Sequence, residues 1–211
     1  METVARQSPV VFDRKVKKRE VHDNWEVVSE YDNEGPGPYV IDLSHRTRWD
    51  IQSNDLDRFK PWGIRIPKTP GQCLFKNGLL INRMNRTQAS IWHMVGKKLD
   101  EPDDPAYTEI TDGTVLLSIY GRDVFAIAEK LSSLDFLNPS LKAPFLLQGP
   151  FANVPCQIVT LEKMDQRAAI LLTCYRGYTQ DMVAAILSAG DEYNIRPAGE
   201  SVFLQLVKVV G

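Results

Sequence analysis

The feature that most constrains the fold is an ordered series of changes in hydrophobic period after residue 113. Thr114 to Tyr120 reads TVLLSIY, a short apolar run of the kind found in strands buried on both faces. From Gly121 to Ser132 the period changes, and Val124, Phe125, Ile127, Ala128 and Leu131 fall on one face of a helix. A connection containing proline and glycine, from Asn138 to Pro155, leads into two further strands, Cys156 to Leu161 and Ala168 to Thr173. A polar turn around Asp165 joins them. Tyr178, Met182, Ile186, Ala189 and Tyr193 then recur at helical spacing, with Thr179 as the expected N-cap. Ser201 to Val210 closes the series as an expected strand. The order strand, helix, strand, strand, helix, strand predicts an α+β fold containing a ferredoxin-like βαββαβ unit over 108–211.

The first half is less regular. Tyr39 to Leu43, Leu79 to Met84 and Gln88 to Val95 read as strands, with turns at Asn77-Gly78 and Asn85-Arg86, while the stretch Pro61 to Gly71 reads as loop. Residues 39–107 are therefore an N-terminal β-rich half, expected to form one compact domain with 108–211. Residues 1–38 differ: Asp13 to Glu20 reads DRKVKKRE, and Gly35-Pro36-Gly37-Pro38 marks a boundary. So little apolar area cannot offset much ordering entropy, which predicts an extended or partly disordered charged arm.

Charge and cysteine usage exclude several functions. A net charge of −2 argues against general nucleic-acid binding, and no apolar run reaches the roughly 20 residues needed to span a bilayer. Residues 1–9 lack the apolar core of a secretory signal, and the 3 cysteines are widely spaced, so the expected compartment is the cytoplasm. Cys156 and Cys174 are expected near each other across a hairpin as buried free thiols. His22, His45 and His93 are far apart in sequence and have no ligand-spaced companion, so no metal site is expected. No dinucleotide or triphosphate loop motif occurs. Trp49 and Trp62, among Arg58 and Arg65, form the candidate partner interface, because Trp and Arg are enriched at interface hot spots.

Several blocks, taken in order, resemble the glycine-cleavage T-protein (aminomethyltransferase-like) superfamily. They are Asp42-Leu43-Ser44-His45, Thr111-Asp112-Gly113 with the strand and helix that follow it, Leu134-Asp135, Asn153-Val154-Pro155, and the run Ala189 to Gly199 (AGDEYNIRPAG). The short length and the absence of a C-terminal barrel are similar to the gamma subunit of heterotetrameric sarcosine oxidase. That resemblance implies a folate-binding-domain-like fold and a non-catalytic small subunit of a flavin-dependent sarcosine or N-methyl amine oxidase or dehydrogenase. It implies larger flavoprotein subunits as partners, with FAD or FMN, NAD and tetrahydrofolate bound there and no cofactor on this chain.

The catalytic residues of the superfamily are not matched. Its acid lies in a G-G-x-x-D-D block, and the corresponding stretch here, Asn77 to Arg83, places Ile81 and Asn82 at the two acid positions. Asn can hydrogen-bond but cannot ionise, and Ile can do neither. No acid occurs between Asp57 and Asp100. A second block, Arg176 to Asp181, begins like the family's pterin-holding segment and then continues as ordinary helix. Asn82, Tyr178 and Asp181 are thus the expected remnants of a pterin pocket, with no catalytic residue among them. The alternative implied by the resemblance is a minimal tetrahydrofolate-dependent aminomethyl- or methyltransferase.

Overall fold

The structure is a computed structural model and describes residues 5–210. Fourteen strands and three helices follow one another, with short 3-10 turns between them. The strands are β1 (Arg6–Gln7), β2 (Val16–His22), β3 (Trp25–Tyr31), β4 (Tyr39–Asp42), β5 (Arg48–Gln52), β6 (Cys73–Lys76), β7 (Leu79–Arg83), β8 (Gln88–His93), β9 (Tyr107–Glu109), β10 (Thr114–Tyr120), β11 (Phe145–Phe151), β12 (Val154–Glu162), β13 (Ala169–Tyr175) and β14 (Arg196–Ala198). The helices are α1 (Val124–Leu131), α2 (Thr179–Gly190) and α3 (Glu200–Val210). Among the described residues no helix is long and apolar enough to cross a membrane.

The central sheet has six strands in the order β11-β12-β13-β10-β4-β14. Apart from the parallel pair β14–β4, its neighbours are antiparallel. The β10-α1-β12-β13-α2-β14 path is the expected ferredoxin-like unit, with β11 added at one edge and β4 inserted between β10 and β14. Side chains alternate across β10 as the pleat requires. Val115, Leu117 and Ile119 face α1 and α2, meeting Val124, Ile127, Met182 and Ile186, whereas Leu116 faces the other way. On that second face Leu116, Val159 and Leu171 meet Leu80 and Trp92 of a five-stranded sheet ordered β6-β7-β8-β5-β9. The far side of the five-stranded sheet buries Trp49, Ile51 and Ile91 against Leu56, Phe59 and Ile64 of the connection that follows β5. The result is four layers: helices, central sheet, second sheet and loop.

Arg48 joins the two sheets. It is wholly buried and donates to the carbonyls of Ser44 at 3.2 Å, Arg46 at 2.6 Å, Thr111 at 2.9 Å and Thr114 at 3.0 Å, and to Thr114 Oγ1 at 3.1 Å. Burial lowers its pKa to about 10, so it keeps its charge at neutral pH. The planar fork suits this work, since it presents several donors in fixed directions.

Four expectations are corrected. Ser201 to Val210 lies in helix α3, not in a strand. Phe203, Leu206 and Val207 are the buried positions, at the three-and-four spacing of a helix, and the β-branched content of SVFLQLVKVV obscured that period. The closing strand is the shorter β14, just before it. The segment 1–38 is not a solvated arm over its described part. It forms a three-stranded sheet ordered β1-β3-β2, in which β3 alternates strictly, burying Trp25, Val27, Ser29 and Tyr31. The charged run belongs to β2, an edge strand whose Lys17 and Arg19 pair with Glu30 and Glu26 of β3. Exposed charge at a sheet edge blocks further strand pairing, which is a reason for such a run other than disorder. Similarly, the connection 138–155 contains β11, and α2 is capped at Tyr178, with the Thr179 hydroxyl donating back to the Arg176 carbonyl at 2.6 Å.

Candidate functional site

A polar row crosses the five-stranded sheet and opens into a cleft between the two large sheets. Register places Asn82 opposite Ser90, Ser90 opposite Asp50 and Asp50 opposite Thr108. Directly opposed residues share a face, so these side chains line up toward the central sheet. Asn82 Nδ2 donates to Ser90 Oγ at 3.3 Å, and Ser90 Oγ donates to Gln157 Oε1 of β12 at 3.1 Å. Asn82 is completely buried, and its Oδ1 has no hydrogen-bond partner among the described residues. Asp50 is also buried, and its carboxylate accepts from Gln52 Nε2 at 2.8 Å and from Gln88 Nε2 at 2.9 and 3.0 Å. Charge-assisted bonds of this kind hold the carboxylate in one orientation.

The cleft beside the row has a volume of about 580 Å³, and Asp50, Gln88, Glu109, Gln148, Gln157 and Thr173 are among its lining residues. Its floor is fixed by Gln148 Nε2, which donates to the Met84 carbonyl at 2.7 Å. Thr173 Oγ1 is buried there without a partner among the described residues. The Asp50 carboxylate with side-chain amides and a hydroxyl can accept from the amino and N–H edge of a heterocycle or from a small amine.

The resemblance places the family's acid block on β7, where this chain carries no acid. Asn82 does occupy the expected strand, but Asp50 reaches the same row from β5. The alternation in RWDIQ, with Trp49 and Ile51 on one face and Arg48, Asp50 and Gln52 on the other, is the signal that marks β5 as a strand.

The expected pterin remnants are not brought together. Asn82 lies between the sheets, whereas Tyr178 and Asp181 are exposed at the start of α2, on the helix-covered side of the central sheet. None of the three is among the cleft-lining residues. The reason is the direction of α2: its apolar face, Met182, Val183 and Ile186, is committed to the opposite side of β10 and β13.

The expected interface residues also divide. Trp49 is buried core, with Trp62 half-buried over it at a ring-centroid distance of 4.8 Å. Arg58 and Arg65 are exposed, and the Arg58 guanidinium lies over the Phe59 ring at 4.5 Å. Trp62 has a left-handed backbone (φ 44°, ψ 41°), an uncommon conformation for a bulky residue. Cys156 and Cys174 are free, buried and close to one another across β12 and β13. Their mutual hydrogen bond and burial push the Cys156 thiol upward.

No protein-family model matches the chain. No curated protein matches it either. Among solved structures it is similar to a chain of the heterotetrameric sarcosine oxidase from Corynebacterium sp. U-96 in complex with pyrrole 2-carboxylate, with a TM-score of 0.59 at 11% identity. The match covers 73% of this chain and 84% of that one. The α+β fold described above is therefore one that a chain of a sarcosine oxidase shares.

Proposed function

We propose that the chain is a gamma-type, non-catalytic subunit of a flavin-dependent complex that oxidises sarcosine or a similar N-methyl amine. One observation carries the reading. The match covers a larger share of the oxidase chain than of this one, so the matched chain is the shorter of the two. A fold likeness to so short a chain of a heterotetramer supports a subunit's place for this one. Flavin, NAD and tetrahydrofolate would then sit on larger flavoprotein partners in the cytoplasm, and the exposed Arg58 and Arg65 with the half-buried Trp62 would face one of them.

A second reading is a tetrahydrofolate-dependent aminomethyl- or methyltransferase, and the cleft beside Asp50 is what favours it. Purification of the tagged chain from its source cell separates the two. The subunit reading expects a co-purifying flavoprotein, a colourless isolated chain and no heat of binding with tetrahydrofolate. Stoichiometric flavin or amine oxidation by the chain alone would overturn it. Micromolar folate binding that Asp50→Asn weakens would favour the transferase.

A further inference from the structure

All 3 histidines of the chain line one cavity of about 240 Å³, together with Asp23, Arg46, Thr47 and Gly96. His22 ends β2, His45 follows β4 and His93 ends β8, so the fold closes the sequence distances that argued against a metal site. Beside the cavity is Glu200, the first residue of α3 and almost fully buried.

The hydrogen bonds around these groups leave one contact unresolved. His22 Nε2 lies 2.8 Å from Glu20 Oε2, which makes Nε2 the protonated ring nitrogen and turns the Nδ1 lone pair the other way. Nδ1 faces Glu200 Oε2 at 3.6 Å, too far for a hydrogen bond. A ring nitrogen and a carboxylate oxygen facing each other at that distance leave room for a cation between them. His45 Nε2 approaches the same carboxylate at 2.7 Å, on Oε1, where Arg46 Nη2 also donates. The candidate donor atoms of His22, His45 and Glu200 all lie within 4.8 Å of one another. Donors about 2.0–2.2 Å from a tetrahedral ion lie roughly 3.4 Å apart. The 3.6 Å between His22 Nδ1 and Glu200 Oε2 is close to that spacing.

We propose that His22 Nδ1, His45 Nε2 and Glu200 Oε2 bind a divalent transition cation of the zinc class, with the fourth position open to the cavity. The donor set has a complete outer shell. Glu20 accepts from the far nitrogen of His22, and Arg46 holds the carboxylate oxygen that the ion does not use. Partners of both kinds orient ligands and raise affinity. Binding releases the proton shared between His45 and Glu200. The ion would tie three separate pieces together, namely the N-terminal sheet, the loop after β4 and the start of α3.

The site is tested by titrating the chelator-treated full-length chain with Zn²⁺ against a chromophoric competitor, and with Co²⁺ by visible spectroscopy. One ion per chain is expected, with the d–d bands of a tetrahedral Co²⁺ centre and a higher melting temperature on loading. Glu20→Gln keeps all three ligands and is expected to weaken binding about tenfold to a hundredfold. His22→Ala, at the edge of an outer strand, should weaken it further and abolish the metal-dependent rise in melting temperature. Its circular dichroism and metal-free melting should match the parent chain. Failure to bind one equivalent would overturn the site. So would equal affinity in the parent and His22→Ala chains, which would place any ion elsewhere, or binding lost only when Cys156 and Cys174 are replaced.

Discussion

The central sheet and the N-terminal sheet are held in different ways. The first buries both faces under continuous apolar layers, and its side chains are fully enclosed from Val115 to Leu117 and from Ala169 to Leu172. The second buries only one face of one strand, the alternate residues of β3, and leaves β2 exposed. Its attachments are local. β3 lies against α3 and β14, and Glu34 Oε1 accepts the backbone N–H groups of Tyr31 at 2.9 Å and Gly199 at 2.7 Å. Gly199 has no side chain because none fits: a Cβ there would stand 2.3 Å from the Ser29 carbonyl oxygen. The central sheet is stable through area buried, and the N-terminal sheet through a few specific contacts. It follows that the N-terminal sheet is the part able to open without global unfolding.

The largest expected effect is on the joint between the two large sheets. Arg48→Met strands four backbone carbonyls in a dry interior and should cost about 3–5 kcal/mol, read as a lower denaturant midpoint for the whole chain. A value below 1 kcal/mol would mean that water reaches that joint. Next is an alkaline effect confined to the N-terminal sheet. Burial pushes the Tyr31 phenol up to about 12. Folded protein therefore keeps that proton between pH 10 and 12 while unfolded chain loses it. The associated stability is whole below pH 10 and should fall by about 3 kcal/mol as pH rises through 12. Tyr31→Phe should flatten that part of the stability–pH profile.

Gly199→Ala sharpens the comparison further. It should cost about 1–3 kcal/mol through overpacking, with hydrogen-exchange protection lost in β2 and β3 and retained in β10 and β13. Uniform loss across both sheets would show that they unfold as one unit. The smallest effect is expected for Glu34→Gln, which turns two charge-assisted hydrogen bonds into neutral ones. It should cost about 1 kcal/mol by thermal denaturation, again felt first in the N-terminal sheet.

How legible each part was follows from the same physics. TVLLSIY and AILLTCY are strands that the sequence declares, because burial on both faces leaves no charged residue in the run. β3 is harder to see, since WEVVSEY carries two glutamates and a serine and shows its strand character only through alternation. The candidate site was the least legible. Asp50, Ser90 and Asn82 share a row only because β8 lies between β5 and β7, and strand order is not written in any local pattern. The histidine–glutamate cluster joins residues up to 178 positions apart (His22 to Glu200), which no spacing rule can detect.

The insertion of β4 between β10 and β14 has a consequence for how the polypeptide can be divided. The crossover from β13 through α2 passes over two strands, not one, before β14 finds its neighbour. A fragment beginning at 108 would therefore carry a missing rung, with Arg196–Ala198 facing a gap where Tyr39–Asp42 belongs. Co-expressed halves would have to rebuild that rung between separate molecules before the last helix had anything to lie on.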